Sequence, residues 1–276
     1  MAITTLDQYI GATKQRITWF KQAPVVALGG YATSSFGTAG QPGAGTLAGA
    51  ATGSSTPIKP TSSTPGCPLI SGGSVSYLSK VEFTNTVQSK FMLYDMLSKS
   101  GAYAYNSGTS TITNTLDISD RCPDYSGGGD TAYGVGNEIW IEIVTAMTSA
   151  TAWQVQVTYY NQAGNLSTSI VSIADVAADL IIGMCFQIGL ASGDTGVQSI
   201  KSVIVTTGGA AAGTFNVLIL RPLWSGLIAI ANGSEIHDFL RTGLPVVYTT
   251  SALYVLIVPD STATGIPYMN IEIASG

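Results

Sequence analysis

Charge is what this chain has least of. Only 10% of its 276 residues are charged, against about 25% in an average soluble domain. Eleven Lys and Arg stand against sixteen Asp and Glu, for a net charge of −5. That balance excludes the basic footprint by which proteins hold nucleic acid directly. The one basic cluster, Lys14, Arg16 and Lys21, is small. Cysteine is scarce as well. Cys67, Cys122 and Cys185 cannot all pair within one chain, and none forms a CxxC metal or redox pattern. Long apolar runs are missing: residues 177–190 are interrupted by Asp179 and Gln187 and are too short to span a bilayer. No membrane partner is expected. Met1 to Asp7 has neither the basic nor the apolar region of a signal peptide, so the expected place of synthesis is a reducing cytoplasm.

Groups that could do chemistry are equally few. His237 is the only histidine. Asp238 adjoins it and Glu235 is near, but neighbours on a strand point to opposite faces and do not converge on one proton. No GxSxG elbow accompanies them. Ser126-Gly127-Gly128-Gly129-Asp130 is followed by no Lys-Ser/Thr and no helix signal, so it is not a phosphate loop. Asp117, Asp120 and Asp124 lack the Gly and Glu of a calcium loop. Asn165-Leu166-Ser167 and Asn232-Gly233-Ser234 match the glycosylation triplet without a secretory signal. The expectation is a protein that is not an enzyme and uses no cofactor and no metal.

What is abundant is Ser, Thr, Asn, Gln and 32 glycines around a 45% hydrophobic fraction, which is enough apolar material for a core. A surface so poor in Lys and Glu is weakly protected against sticking to other surfaces, which suits a permanent assembly. Leu6, Ile10, Thr13, Ile17 and Phe20 follow a 4-3-4-3 spacing that predicts a helix over residues 5–22. Thr5 and Gln8 make a capping box at its start, and Pro24 closes it. Residues 25–75 are rich in Gly, Ser, Thr and Pro and read as an extended arm that orders against a partner.

From Ser74 onward the period switches to two. Ile139, Ile141 and Ile143, then Trp153, Val155, Val157 and Tyr159, then Phe215, Val217 and Ile219, then Met269, Ile271 and Ile273 each mark one buried strand face. Strands without intervening helices predict antiparallel sandwiches. The pattern also echoes itself in order. Residues 77–81 resemble 199–203, residues 91–97 resemble 217–223, and residues 137–143 resemble 251–257. The expected architecture is all-β: two tandem, jelly-roll-like antiparallel sandwiches at 76–160 and 185–276, a connector at 161–184, an N-terminal helix at 1–24 and the arm. Leu253 to Val258 is apolar at all six positions, and such two-faced strands predict burial between copies of the chain. Trp140, Trp153, Tyr159 and Tyr254 sit at strand positions where packing favours aromatics.

Several stretches resemble structural proteins of tailed-bacteriophage heads. They are Met1 to Ile10 with Lys14-Gln15-Arg16-Ile17, Tyr160-Asn161-Gln162-Ala163-Gly164, Ala191 to Gln198, Leu220-Arg221-Pro222-Leu223-Trp224, and His237 to Pro245. The resemblance spans most of the chain outside the Gly-rich arm. It implies a virion protein made in a bacterial cytoplasm, most like a decoration or cement protein on the outside of the capsid, and it brings no catalytic residues. The implied partners are the major capsid protein and further copies of the chain, with a trimer favoured. The candidate contacts are Leu6, Ile10, Ile17 and Phe20, with Trp19, Val26 and Leu28. Two alternatives stay open: a carbohydrate-binding head- or tail-fibre module, and a major capsid protein of two fused jelly rolls.

Overall fold

The structure, a computed structural model, describes residues 3, 5–49, 56–73, 75–105, 108–147, 153–172, 180–207 and 213–276. Among them run two short α-helices, α1 (Leu6–Gly11) and α2 (Phe239–Thr242), and sixteen strands. In chain order the strands are β1 (Thr13–Lys21), β2 (Ala32–Ser34), β3 (Gly40–Gln41), β4 (Val75–Thr84), β5 (Ser89–Ala104), β6 (Gly108–Thr111), β7 (Glu138–Thr145) and β8 (Gln154–Asn161). There follow β9 (Leu166–Thr168), β10 (Met184–Ile188), β11 (Val197–Thr207), β12 (Thr214–Ile228), β13 (Ser234–His237), β14 (Val246–Tyr248), β15 (Leu253–Pro259) and β16 (Tyr268–Ser275). The fold is all-β, as the period-two pattern predicted.

The N-terminal segment keeps its cap and loses most of its helix. Thr5 and Gln8 cap each other's backbone N–H groups at 3.1 and 3.2 Å, but α1 lasts six residues and Ala12 is already extended. Residues 13–21 form β1, hydrogen-bonded along its length to β16. The 4-3-4-3 stripe hid an alternation: Ile17, Trp19 and Lys21 are buried and the residues between them are not. Thr, Ile, Trp and Phe in this run favour a half-buried pleated surface, and a waiting partner strand decides the matter.

The described chain divides into two compact units, and they are not the tandem pair expected. Unit 1 comprises residues 1–46, 61–95 and 223–276; unit 2 comprises 47–60 and 96–222. In unit 1 one sheet runs β13-β4-β16-β1-β3, and β15 lies between β2 and β5. Their inner faces interdigitate through Ile17, Trp19, Val81, Phe83, Met269 and Ile271 from the first set, and Phe91, Leu93, Leu253, Val255 and Ile257 from the second. In unit 2 one sheet runs β6-β11-β8-β9, and β7 lies between β10 and β12. Its core is aromatic at the centre, with Trp153 against Phe215, Phe186 and Tyr105 at ring-centroid distances of 4.8, 5.7 and 6.3 Å.

The central strands of each unit repeat the other's pairing. Phe91, Leu93 and Asp95 of β5 face Ile257, Val255 and Leu253, as Phe215, Val217 and Ile219 of β12 face Ile143, Ile141 and Ile139. Val81 and Phe83 of β4 pair with Ile271 and Met269 on one side and His237 and Glu235 on the other. Val203 and Val205 of β11 pair likewise with Val157 and Val155, and with Ser110 and Gly108. The internal echo is therefore structural, with one register correction: Phe91 corresponds to Phe215, two residues earlier than the hydrophobicity match placed it.

The two repeats do not form a unit each; they exchange strands. β4 and β5 belong to the first repeat and their partners β13, β15 and β16 to the second, whereas β11 and β12 pair with β6, β7 and β8 of the first. The crossing is made inside two long strands. β5, of 16 residues, passes from unit 1 to unit 2 after Asp95, and β12, of 15, passes the other way after Pro222. The boundaries 76–160 and 185–276 are thus replaced by discontinuous ones.

The arm is corrected too. Phe36 is buried, with Tyr254 at a centroid distance of 5.7 Å. Gly45 and Gly66 make room for its ring, since a Cβ at either would lie 2.3 or 2.7 Å from it. Ile58 exchanges backbone hydrogen bonds with Lys99 at 2.9 and 3.0 Å. Deleting residues 1–66 would strip β1 and β3 from the edge of β16 and β2 from β15 rather than trim a free tail. Gly, Ser and Thr here thread between larger side chains instead of waiting for a partner. The same holds for the apolar run at 253–258: Leu253 to Ile257 are buried within unit 1, so that run is not the source of a subunit interface.

Candidate functional site

The seven candidate contacts separate cleanly. Leu6, Ile10 and Val26 are 58%, 65% and 68% exposed. Ile17 and Trp19 belong to the core of unit 1 and cannot be contacts, because alternation along β1 turns them inward. Phe20 is half-buried, stacked on Tyr268 at 6.4 Å, and Leu28 is half-buried.

Around Leu6 and Ile10 the fold adds residues that periodicity did not single out. Tyr9 on α1 meets Phe239 on α2 with ring centroids 4.7 Å apart. Ile3, Thr5, Leu6, Tyr9, Phe239 and Leu244 line a groove of about 290 Å³. Next along the chain from those two rings stand Ile10 and Leu240, the latter 79% exposed. The short α2 is held by Asp238, whose carboxylate accepts from the Leu240 and Arg241 N–H groups at 3.1 and 3.2 Å. Asp-Phe-Leu-Arg, a cap followed by apolar residues, was the available signal; at four residues it falls below any useful helical period.

A second, polar hollow of about 600 Å³ is lined by Lys90, Ser225, Gly226, Leu227, Glu235, His237 and Arg241. His237 packs against Phe83 and Trp224, each 5.3 Å away in ring-centroid distance. Its Nδ1 accepts from the Trp224 indole N–H at 3.0 Å, which leaves the proton on Nε2. Burial, then the Arg241 charge, holds its pKa below the ordinary 6.5, against opposing pulls from Glu235 and Asp238. A depressed histidine pKa adds stability that is present above about 6.5 and lost as pH falls through the folded value. Urea denaturation should therefore show the wild type losing more stability on acidification than His237→Gln, which cannot titrate. Equal losses would remove His237 from the acid response.

The acidic side chains of residues 117–130 are hydrogen-bonded or ion-paired locally. Asp117 accepts from Ser119 N–H and Asp124 from Val135 N–H, each at 2.9 Å, and Asp120 pairs with Lys59. Asp130 closes its own glycine loop through Ser126 and Ala132. No group of three His, Cys, Asp or Glu among the described residues is placed to hold a metal. The three cysteines are buried thiols. All four tryptophans are buried, so none offers the open ring face on which a sugar stacks. No helix among the described residues is long and apolar enough to cross a membrane.

Two stretches that carried the resemblance come together as one latch in unit 2. Gln162 accepts from the Thr195 and Gly196 N–H groups at 3.0 and 3.2 Å. Asn161 and Tyr159 donate to the two oxygens of Asp194, both at 2.7 Å. Burial first, then the carboxylate, pushes the Tyr159 hydroxyl up to about 12.

No protein-family model matches the chain, and no curated protein matches its sequence. Among solved structures it is similar to the VP2 subviral particle of infectious bursal disease virus, at 10% identity and a TM-score of 0.25 over 99% of this chain and 82% of that one. It is also similar to the infectious bursal disease virus Gx strain structure, at 10% identity and a TM-score of 0.19 over 95% and 80%. Scores this low carry no argument about function.

Proposed function

We propose that this chain is a non-enzymatic virion structural protein that binds the outer surface of a phage capsid and cements it. The observation that carries the reading is the exposed apolar strip of Leu6, Ile10 and Leu240 beside the α1–α2 groove, on a chain with unusually few charges. The resemblance to phage head proteins supports the same assignment, and the major capsid protein is the occupant it implies. Apolar side chains on a rigid sandwich lose little entropy on docking, so their burial converts efficiently into affinity. Bridging several shell subunits stabilises the assembled state by mass action without a chemical step. A homotrimer on three-fold lattice sites is the assembly proposed, checked by sedimentation of the free protein.

The test is a variant carrying Leu6→Asp, Ile10→Asp and Leu240→Asp. These side chains are exposed, so folding should be unchanged while binding to stripped capsids weakens by at least about tenfold, or 1.4 kcal/mol. Stripped particles should also resist heat less well than decorated ones. Full-strength binding by the variant would sink the docking surface, and equal heat resistance would sink the cement role.

A further inference from the structure

The polar hollow around His237 has the make-up of a ligand site, and the chain's own second repeat supplies the control. Strand position for strand position, His237 corresponds to Ser110 and Glu235 to Gly108. The residue before Phe91 is Lys90, whereas the residue before its counterpart Phe215 is Thr214. The same sandwich therefore closes without an imidazole, a carboxylate or a cation at these places. Their presence in unit 1 alone is not demanded by the fold.

The chemistry of the lining narrows the ligand. Lys90 is exposed, and no ion pair to it is formed among the described residues. Arg241 is held to Glu235 only loosely, at 3.8 Å, with both side chains largely open to solvent. With His237 neutral, the hollow carries two positive charges and one negative, on a chain of net charge −5. The Nδ1 bond from Trp224 fixes the imidazole so that Nε2–H is a donor. Gly226 is required beneath it, because a Cβ there would lie 2.4 Å from both Phe83 and Trp224. Leu227, 54% exposed, adds an apolar wall. Two cations call for an anionic group. Glu235 repels a bare polyanion but accepts from hydroxyls, and the Nε2–H donates to one.

We propose that this hollow binds a carboxylated sugar, its carboxylate on Lys90 and Arg241 and its hydroxyls on Glu235 and the His237 Nε2–H. A volume of about 600 Å³ accommodates one or two rings. Recognition proceeds through charge and hydrogen bonds rather than tryptophan stacking, since Trp224 is turned inward. The site is independent of the apolar strip: capsid binding and sugar binding are separate assays, and either can fail alone.

A lone histidine makes the test direct, because its imidazole gives one unambiguous NMR reporter. D-glucuronate, D-glucose and inorganic phosphate are titrated into the full chain at neutral pH. Glucuronate should shift the His237 signals saturably in the millimolar range, with glucose and phosphate each at least about tenfold weaker. Lys90→Ala, an exposed change that leaves the thermal midpoint alone, should weaken glucuronate by at least about tenfold. An unmoved imidazole, equal binding of phosphate or of glucose, or undiminished binding by Lys90→Ala would each overturn the proposal.

Discussion

Severing the chain between residues 175 and 176 should leave two pieces that are unfolded apart and native-like together. In the fragment from 176 onward, β10 to β16 make no strand pairing with one another among the described residues; their partners lie before residue 175, in the first repeat or in β1 and β2. Among the described residues, the fragment ending at 175 retains the short β1–β3 contact, the Ile58–Lys99 bridge and the β8–β9 hairpin. Isolated hairpins are marginal in water, and unpaired strands expose their backbone donors and apolar faces. Circular dichroism should show little ordered β structure in either fragment. Mixing should restore the sheet spectrum and a one-to-one complex. The intact chain should unfold in a single transition despite its two units, because each is built from both repeats and shares β5 and β12 with the other. Its pairings are almost all distant in sequence, which predicts slow folding. A fragment that folds cooperatively by itself would contradict the exchanged topology.

Breaking one buried ion pair in unit 2 should cost about 3–5 kcal/mol. Lys99 and Glu142 are 2% and 0% exposed and lie 3.5 Å apart. Asn216 donates to the same Glu142 oxygen at 2.8 Å and accepts from the Gly49 N–H at 3.0 Å, and it also donates to the Leu47 carbonyl. The network thus ties residues 47–49 of the Gly-rich segment to β5, β7 and β12. Glu142→Leu takes the opposite charge from a buried ammonium, and Lys99→Met takes it from a buried carboxylate. Either alone should lower the urea midpoint steeply. The double substitution should be less damaging than the sum of the two, because it removes both charges together. Additive losses would mean that the pair is not coupled.

Much of this protein was legible before any contact was known. The scarcity of charge, of histidine and cysteine and of long apolar runs set the expectations about chemistry. Alternation at 153–159 placed a strand and its one buried face; at 139–143 and 269–273 it placed the strands, but Trp140, Glu142 and Glu272 on their other faces are buried as well. The echo announced two repeats, and Thr5-x-x-Gln8 marked a helix start that the structure keeps. Of the docking strip, Leu6 and Ile10 were visible as apolar residues on a capped helix, whereas Phe239, Leu240 and Leu244 were not.

Periodicity states which face of a segment is buried and is silent about what covers it. For that reason the stripe at 13–21 read as helix until β16 was found beside it, and Ile17 and Trp19 read as contacts until their own core enclosed them. The Gly-rich arm lacks a period altogether, so its packing against Tyr254 and Asn216 left no local trace. Tandem order was the economical assumption for two repeats. Only the pairing of β5 with β15, and of β12 with β7, shows that each repeat completes the other. Sequence alone determined an all-β, charge-poor, internally repeated chain, because side-chain alternation and composition are local properties. The tertiary structure decided the strand exchange, the threaded arm and the hollow around His237, because these depend on which residues, far apart along the chain, the backbone hydrogen bonds bring side by side.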